Sequence, residues 1–571
     1  MGQTLPGWAK KLISEYQSGT VSQFILYGNV NDLIPLRVDN QLQFLGLKNF
    51  LEKALFPMRE MTFFYDPSYG IRCPKPEMMQ DFLRVVRMVD AVSQTQFAGA
   101  LPKDPNRALF LIERYIRTRI DSKKSPSVAV IIDFAQMIAP MGQLAHMSRD
   151  EVNTLIRLMN WAKDPDFMSH DITSVLISEN LSDLNNYLAQ DPYSAKIELD
   201  FPAEAERLTF IEHQTLGTSF RETSDLSREN LAQKLSGLNL VNIKNLINTG
   251  LNRKDRITND FVFSKKKELI EKECFGLLEF FEPGHDLSMV SGHDAAKEWL
   301  SKDADLAKKG ELDVLPMGYV ICGPVGTGKT FLIECYTGSI GIPCVKLLNF
   351  RSQWQGVTEG NWEKILKTLR ATGPVGVIID EADAAVGKRE SGGDSGTSSR
   401  VFSQLASQMG NTKYRGKIIW FLITCRPDLL PVDLKRQGRA EVHIPLFYPH
   451  GEDDLKEMFK VMGRKVKAKF KEDDIPAISM DARLSGADIE GILVKANRLA
   501  RIEGRGSLNN EDLKAAVDDF IPAAYEAEKE MQIMSALMEC TSKKFIPERY
   551  ADISREECSM KFKELKLQLG A

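Results

Sequence analysis

Apolar and polar positions along the chain follow two alternating patterns. Short runs rich in Val, Ile and Leu predict buried strands, and the longer amphipathic stretches between them predict helices. Strands that alternate with helices are typical of a parallel sheet covered on both faces, so the predicted fold class is α/β. The runs that carry this prediction are Val128–Asp133, Thr173–Ser178, Gly318–Cys322, Val375–Asp380 and Ile418–Thr424.

The same pattern occurs twice along the chain. VAVIIDFAQ reaches Asp133 and VGVIIDEAD reaches Asp380, and the next strand ends 45 residues later at Ser178 and 44 residues later at Thr424. The segments IELDFP and HIPLFYP, and then LVNIKNLI and GADIEGIL, keep the same spacing to within one residue. Two copies of one module are therefore predicted, with a boundary near residues 265–285. Two unrelated α/β domains with coincidental spacing are the alternative.

Composition narrows the function classes. A chain of 571 residues is too long for one core, and a net charge of −4 gives no electrostatic preference for nucleic acid. The 8 cysteines form no CxxC pair, which argues against a zinc ribbon and against a disulfide framework. The first residues, MGQTLPGWAKKLISEYQ, lack the order of a signal peptide, and we find no apolar run long enough to span a bilayer. A cytoplasmic protein without an integral membrane segment is expected.

A phosphate-binding loop follows the strand GYVIC and precedes the helical segment TFLIECYTG. In such a loop, backbone N–H groups and the helix N-terminus face the phosphates of a nucleotide, a lysine adds a positive charge, and a hydroxyl ligates magnesium. The cofactors predicted are ATP and Mg²⁺, with the metal on Thr330. The loop residues predicted to bind nucleotide are Gly323, Pro324, Val325, Gly326, Thr327, Gly328, Lys329 and Thr330.

Two adjacent carboxylates complete the predicted chemistry. Asp380 ends the apolar run VGVII and is placed to hold magnesium, and Glu381 can polarise the attacking water. A strand that simply ends in an acidic turn is the alternative for this pair in isolation. The phosphate loop about fifty residues upstream favours hydrolysis.

From Leu287 to about Pro522 the sequence resembles the classical AAA ATPases, such as valosin-containing protein, the proteasomal ATPases and FtsH. The phosphate loop, IIDEAD, MVSGHDAAKEWL, ITCRPDLLPVDLKRQGRAEVHI and SGADI carry this resemblance. Together with the repeat, it implies two tandem AAA modules, each a parallel sheet flanked by helices with a small helical lid. It also implies a homo-oligomer, a hexameric ring with ATP at the subunit interfaces.

The resemblance assigns further site residues by motif. Gly292 lies in the segment near the adenine, and Gly486 and Ala487 lie in the lid motif. Arg436 and Arg439 match the arginine fingers that act on a neighbouring subunit. The family's sensor asparagine falls on Cys425, a weak hydrogen-bonding group, so Thr424 is the catalytic candidate there and hydrolysis could be slow.

A candidate substrate-contacting segment lies between the phosphate loop and Asp380. The stretch FRSQWQG is similar to the first pore loop of the family, with Trp354 at the aromatic position and Gly356 at the glycine. A tryptophan packed in the core is the alternative. The Gly387–Arg400 stretch occupies the position of a second pore loop.

The first module keeps the strand pattern and lacks the chemistry. Gly28 follows a strand without a GK[ST] sequence, and Phe134 stands where the second module has Glu381. Asp133 is interpreted as a cap or turn residue. A degenerate AAA-like half of this kind is also similar to some plastid and cyanobacterial AAA proteins; a distinct recruitment domain is the alternative. The predicted boundaries are 1–205 and 206–270 for this core and its lid, 271–449 and 450–530 for the active core and its lid, and 531–571 for a helical tail.

Three functions are compatible with these motifs. The first is an ATPase that remodels or disassembles a protein or protein complex as an oligomeric ring. The second is a nucleotide-gated regulatory or assembly scaffold with slow hydrolysis, which Cys425 and the first module favour. A nucleic-acid motor is disfavoured by the acidic balance. The protein substrate and its adaptor are not indicated by any motif.

Overall fold

The structure is a computed structural model. It describes residues 5–38, 41–122, 125–142, 144–218, 220–252, 256–274, 276–281, 283–348, 359–386, 397–479, 483–521 and 525–570. Contacts between Cα atoms divide the chain into two compact units. The first contains residues 1–269 with 358–371, and the second contains residues 270–357 with 372–571.

The first unit is built on a mainly parallel sheet. Its spatial order is β5-β4-β6-β7-β1-β8, and β5 alone runs antiparallel to its neighbour in the described part of this sheet. A separate hairpin pairs β2 with β3. The strands are β1 (Gln23–Gly28), β2 (Leu33–Val38), β3 (Gln41–Gly46), β4 (Met61–Asp66), β5 (Gly70–Arg72), β6 (Ser127–Ile132), β7 (Asp171–Ser178) and β8 (Ser194–Leu199).

The second unit repeats this sheet. Its spatial order is β9-β11-β12-β13-β10-β14, with the edge strand β9 antiparallel and the other described strands parallel. In both sheets the first parallel strand in chain order lies between the fourth and the last. The strands are β9 (Leu278–Phe281), β10 (Gly318–Cys322), β11 (Cys344–Leu347), β12 (Val375–Ile379), β13 (Ile418–Thr424) and β14 (Val442–Pro445).

Helices surround both sheets. Those up to residue 273 are α1 (Gly7–Gln17), α2 (Leu47–Phe50), α3 (Pro76–Ser93), α4 (Pro105–Asp121), α5 (Ala135–Ile138), α6 (Arg149–Lys163), α7 (Pro165–Ser169), α8 (Asn186–Ala189), α9 (Glu204–Gln214), α10 (Phe220–Thr223), α11 (Arg228–Lys234), α12 (Leu240–Asn252) and α13 (Asn259–Glu273). Those after β9 are α14 (Asp294–Lys308), α15 (Lys329–Ile340), α16 (Glu359–Thr372), α17 (Ala382–Val386), α18 (Thr397–Met409), α19 (Val432–Lys435), α20 (Glu452–Lys465), α21 (Gly486–Ile502), α22 (Asn510–Asp518), α23 (Glu526–Glu539) and α24 (Arg555–Leu569).

The continuous apolar runs are explained by burial on both faces of the sheet. In β6, Val130 and Ile132 enter one hydrophobic cluster, whereas Ala129 and Ile131 enter another on the opposite face. Because successive side chains of a strand point to opposite faces, a strand covered on both sides needs apolar residues at every position. The same reason applies to β12, which is buried along its whole length.

A helical lid follows each sheet. Helices α20, α21 and α22 enclose a core of their own that includes Leu455, Ile489, Leu493 and Leu513. In the first unit, α9 packs against α11 and α12. Two tandem α/β modules with helical lids are thus confirmed as the fold class, whereas the residue boundaries given above stay predictions. In the described part of the chain, no helix combines the length and the apolar character that crossing a membrane requires.

Candidate functional site

A glycine-rich turn connects β10 to α15 in the second unit. Gly323 has a φ of 130°, and a Cβ built there would lie 2.1 Å from the carbonyl oxygen of Leu446, the residue that follows β14. Gly326 has a φ of 80°, and a Cβ there would lie 2.6 Å from the Ser485 side chain. Side chains are therefore excluded at both positions, and the turn can lie close to the sheet and to the lid.

Lys329 reaches back across this turn. Its Nζ atom donates hydrogen bonds to the carbonyl oxygens of Gly323, at 2.9 Å, and Pro324, at 2.7 Å. The residue is only 8% exposed, and among the described residues no carboxylate pairs with it. A buried ammonium group that has only neutral partners fits an anion, so the residues present suit a phosphate group in the turn.

Asp380 faces the start of α15. Its Oδ2 atom accepts a hydrogen bond from the Thr330 hydroxyl at 3.3 Å, and its Oδ1 atom accepts from the Glu381 N–H at 3.0 Å. Thr330 and Asp380, the two predicted metal ligands, therefore lie side by side. They are hard oxygen donors of the kind magnesium prefers, and magnesium in phosphate sites commonly takes only one or two protein ligands.

Glu381 lies directly beyond the metal pair. It is exposed and has a φ of 48°, a left-handed conformation that is uncommon for a residue with a side chain. The backbone turns here between β12 and α17, so the carboxylate is presented at the carboxyl end of the sheet. This position suits a group that polarises water.

Thr424 and Cys425, at the end of β13, occupy the predicted sensor position, and the Thr424 hydroxyl is hydrogen-bonded within the protein. Thr424 is 1% exposed, and its Oγ1 atom donates to Asp383 at 2.6 Å and accepts from the Arg426 N–H at 2.9 Å. Cys425 is half-buried beside it. Thr424 is thus held in place near the metal pair by a carboxylate of the IIDEAD motif.

An apolar cavity lies between the N-terminal segment, the turn and the lid. Its lining includes Val290, Phe331, Met458 and Met462, with Gly292 in an adjoining polar cavity and Gly486 at the lid. A mostly apolar cavity of this kind suits a purine ring. Ala487, the next lid residue, is exposed.

Two polar groups border this cavity. The Ser291 hydroxyl is buried and has no hydrogen-bond partner among the described residues, so it is available to a ligand. The His293 ring donates from Nε2 to the Thr327 carbonyl oxygen at 3.1 Å. Burial lowers the pKa of His293 to about 4, so the ring is neutral near pH 7.

The lid begins against the phosphate turn. The Gly486 N–H donates to the Gly326 carbonyl oxygen at 3.3 Å. The Ser485 hydroxyl caps α21 by accepting from the Asp488 N–H at 3.1 Å, while the Asp488 carboxylate accepts from the Ser485 N–H. This reciprocal cap fixes the first turn of the lid helix where it meets the loop.

Helix α23 also reaches the turn, which sequence patterns did not reveal. The Gln532 side chain accepts a hydrogen bond from the Val325 N–H at 3.1 Å, and the Tyr448 hydroxyl donates to the Val325 carbonyl oxygen at 2.9 Å. Further along the helix, Ser535 donates to Asp428 at 2.8 Å. An amphipathic pattern predicts a helix here but not what that helix contacts.

The two candidate arginine fingers differ in accessibility. The Arg436 side chain is 59% exposed, whereas the Arg439 side chain is 13% exposed and donates to the Asp433 carbonyl oxygen. Desolvation, followed by the charge of Arg436, lowers the pKa of Arg439. Arg436 is thus accessible to another molecule although its Nε atom lies 3.7 Å from the exposed Asp433 carboxylate, whereas Arg439 folds back on its own segment. The pore-loop candidates Trp354 and Gly356 lie outside the described residues, as do residues 387–396.

The first unit has the same backbone at the equivalent places. Gly28 has a φ of 104° and would clash with the Leu199 carbonyl oxygen if it carried a Cβ, as Gly323 does with Leu446. Phe134 has a φ of 55°, close to that of Glu381, and its N–H donates to Asp133 at 3.0 Å. The strand ends are therefore alike, although the side chains differ.

In the first unit, charged side chains of the chain itself lie at two positions where the second unit would bind its metal and nucleotide. Where the second unit has the phosphate turn, the first has the hairpin of β2 and β3, and α2 follows it. Lys48 is the second residue of α2, as Thr330 is of α15, and its Nζ atom lies 2.6 Å from the Asp133 carboxylate. The interpretation of Asp133 as a cap or turn residue missed this ion pair.

Asp32 is the second internal charge, and it lies at the lid of the first unit. Its carboxylate accepts hydrogen bonds from the N–H groups of Leu240, at 3.0 Å, and Val241, at 3.1 Å, which begin α12. Burial raises the pKa of Asp32, and the hydrogen bonds from Leu240 and Leu33 oppose that rise. A helix N-terminus attracts anions, so Asp32 supplies from within the chain the negative charge that this position favours.

Replacing Asp32 with alanine is expected to loosen the first lid. The change leaves two N–H groups at the start of α12 without their acceptor, which costs roughly 1–3 kcal/mol. Hydrogen exchange measured by mass spectrometry should show faster exchange at Leu240 and Val241. Asn31→Ala is the matched control because Asn31 is exposed and contacts Glu179 instead. Unchanged exchange at α12 in Asp32→Ala would contradict this role.

Three segments of the chain match known protein families. Residues 2–200 match the family described as AAA+ chaperone, N-terminal Rossmann-like domain, and residues 205–275 match AAA+ chaperone, second helical domain. Residues 319–448 match the ATPase family associated with various cellular activities (AAA).

Individual relatives are similar over different lengths. The uncharacterized AAA domain-containing protein ycf46 of Guillardia theta is 26% identical over 448 residues, which are 76% of this chain and 82% of that protein. The protein of the same name from Gracilaria tenuistipitata var. liui is 27% identical over 50% of this chain and 58% of its own. The ATP-dependent zinc metalloprotease FtsH of Marinobacter nauticus is 28% identical over 41% of this chain and 38% of its own.

Proposed function

This chain is an AAA-type protein, as its motifs predicted, and from that premise we propose that it is a magnesium-dependent ATPase that works as an oligomeric ring to remodel or disassemble a protein or protein complex. The observation that carries the proposal is the convergence of Lys329, Thr330, Asp380 and Glu381 at the carboxyl end of one sheet. A structural role alone gives no reason for a buried, uncompensated Lys329 beside two oxygen ligands.

Each residue has a distinct part in this proposal. Lys329 and the backbone N–H groups of residues 326–330 bind the phosphates, and Thr330 and Asp380 hold the metal. Bound Mg²⁺ supplies positive charge that offsets the negative charge developing on the phosphates. Glu381 orients the attacking water and accepts its proton. The apolar cavity beside Gly292 takes the adenine, and the lid from Gly486 covers it.

The neighbouring subunit is proposed to complete the site. Arg436, and Arg439 after a change of side-chain conformation, would reach the phosphates bound by the adjacent copy of the chain. Support comes from the exposure of Arg436 and from the likeness of its segment to the family motif. The expected assembly is a hexamer. Its expected substrate is a protein that Trp354 and Gly356 contact, and nucleic acid is not an expected partner.

The first unit is proposed to be a pseudo-ATPase half. Lys48 pairs with the aspartate that would hold a metal, Phe134 stands at the place of the catalytic carboxylate, and a hairpin occupies the place of the phosphate turn. Such a half can stabilise a ring or regulate the second unit. A distinct α/β recruitment domain is the alternative interpretation of the first unit.

A nucleotide-gated scaffold with slow hydrolysis is the second candidate function. The observation that favours it is at the sensor position, where Cys425 replaces an amide and the Thr424 hydroxyl already donates to Asp383. Neither side chain is then placed to align water as an asparagine amide does. Nucleotide binding would set the assembly state, and turnover would be slow.

Steady-state ATP hydrolysis across a series of protein concentrations tests the proposal. We expect specific activity to rise with concentration, since sites that need a neighbouring subunit form only on assembly. Lys329→Met should abolish ATP binding and hydrolysis, whereas Lys302→Met, which removes a surface lysine paired with Glu298, should change neither. Tight ATP binding without hydrolysis above the Lys329→Met background would favour the scaffold. No ATP binding by the unaltered protein would refute both functions.

A further inference from the structure

Lys346 is a charged residue at the site that the motifs do not include. It lies on β11, opposite Ile378 of the neighbouring strand β12, two residues before Asp380. Its Nζ atom is 2.8 Å from Asp380 Oδ2, the same oxygen that accepts from the Thr330 hydroxyl. The Lys346 ammonium group therefore contacts the same carboxylate oxygen of Asp380 that faces Thr330, the other predicted magnesium ligand.

We propose that Lys346 is an internal cation that holds Asp380 in the nucleotide-free protein and competes with magnesium for it. The inference rests on the proposed function, because it assumes that Asp380 and Thr330 receive magnesium with the nucleotide. It assigns to Lys346 a positioning role: this residue sets how much magnesium the site requires before a metal–nucleotide complex is bound.

The competition follows from the size and charge of the two cations. Magnesium binds oxygen at about 2.0–2.1 Å in a near-octahedral shell, which leaves little room for an ammonium group on the same carboxylate oxygen. Two positive charges a few ångströms apart also repel each other. Lys346 must therefore leave Asp380 Oδ2 when the metal arrives, and the free energy of that ion pair opposes metal binding.

Glu334 lies four residues after Thr330 on α15, and therefore on the same face of that helix, where it offers Lys346 a second carboxylate. It is half-buried, and desolvation raises the pKa of its carboxyl group, whereas the charge of Lys346 opposes that rise and those of Asp380 and Glu279 add to it. A carboxylate in this position gains a partner when Lys346 turns away from Asp380. The exchange keeps both carboxylates compensated: before it Lys346 holds Asp380, and after it the metal holds Asp380 and Lys346 faces Glu334.

The first unit shows that the fold accommodates a lysine at this carboxylate. Lys48 pairs with Asp133 there, at the end of the equivalent strand, although it comes from a helix instead of a strand. In the first unit the lysine stands at the place of the metal-ligating threonine itself. In the second unit Thr330 is retained, so Lys346 and a metal can alternate.

Binding of a fluorescent ATP analogue, measured by anisotropy while magnesium is titrated, tests the inference. Lys346→Met should lower the magnesium concentration at half-maximal binding by about two- to fivefold, since it removes a partly exposed ion pair that competes with the metal. Glu334→Gln should raise that concentration, because it removes the alternative partner of Lys346. Lys302→Met should leave it unchanged.

The outcomes separate this inference from the proposed function. If the unaltered protein binds the analogue at no magnesium concentration, the proposed function fails. If it binds and Lys346→Met has the same or a higher magnesium midpoint, the competition is refuted. Weaker binding of the analogue by Lys346→Met in EDTA would also refute it, since the lysine would then be a phosphate ligand. Lys346→Gln, checked by thermal unfolding, repeats the test if the methionine variant does not fold.

Discussion

Replacing Glu381 with glutamine is expected to slow ATP hydrolysis by about 10²–10⁴-fold and to leave ATP binding intact. Glutamine has nearly the same shape as glutamate, but it cannot take a proton from water. Glu381 is exposed at the end of β12 and touches the metal pair only through its own backbone N–H, so the change should not disturb Thr330 or Asp380. Single-turnover hydrolysis and equilibrium binding of ATP measure the two quantities separately.

A matched control for this prediction is Glu298→Gln. Glu298 is an exposed glutamate on α14 that pairs with Lys302, so its replacement changes the net charge equally without touching the site. It should hydrolyse ATP at the unaltered rate. Equal rates for Glu381→Gln and the unaltered protein would show that another group activates water.

Removing Arg436, the proposed arginine finger, is expected to lower the hydrolysis rate by about 10³-fold or more. Because the Arg436 side chain is 59% exposed and that of Arg439 is 13% exposed, Arg436→Ala should leave the fold unchanged, whereas Arg439→Ala also loses a contact with the Asp433 carbonyl oxygen. Thermal unfolding beside the rate measurement distinguishes lost chemistry from lost packing. We expect Arg436→Ala to lose rate without a lower melting temperature.

Mixing two inactive variants tests whether the finger acts between subunits. In a ring of Arg436→Ala and Glu381→Gln chains, some interfaces combine an intact Glu381 on one chain with an intact Arg436 on the next. Activity should therefore reappear on mixing, in proportion to those interfaces. If mixed rings stay as inactive as either variant alone while gel filtration shows that they assemble, Arg436 does not serve a neighbouring site.

Most of the fold could be predicted because a strand buried on both faces of its sheet appears in the sequence as a continuous apolar run. The predicted runs Gly318–Cys322 and Ile418–Thr424 coincide with β10 and β13, since every residue of these strands is buried. The spacing of the two copies correctly predicted that one sheet occurs twice. The short antiparallel edge strands β5 and β9 were not predicted, because strands of three or four residues carry too little periodicity.

The site residues of the second unit stand in short sequence motifs, whereas the interacting residues of the first unit are far apart in the sequence. Lys329, Thr330 and Glu381 stand in short motifs whose spacing a loop or a strand end imposes, so the sequence brought them together correctly. Lys48 and Asp133 lie 85 residues apart, and Asp32 and Leu240 lie 208 residues apart. No period along the chain links such pairs; only the completed sheet and lid bring them together. The assigned roles of the site residues stay predictions until the variants are measured.

Helix α23 has a practical consequence for anyone who wishes to isolate the second unit as a fragment. A chain cut after the lid, at residue 521, would lose Gln532 from the Val325 N–H and Glu539 from Lys435, whose Nζ atom it meets at 2.5 Å. Each buried polar group left without a partner costs about 1–3 kcal/mol. Such a truncated protein would show a weak nucleotide affinity caused by the cut and not by the intact protein, whereas residues 270–570 would keep the support of the phosphate turn.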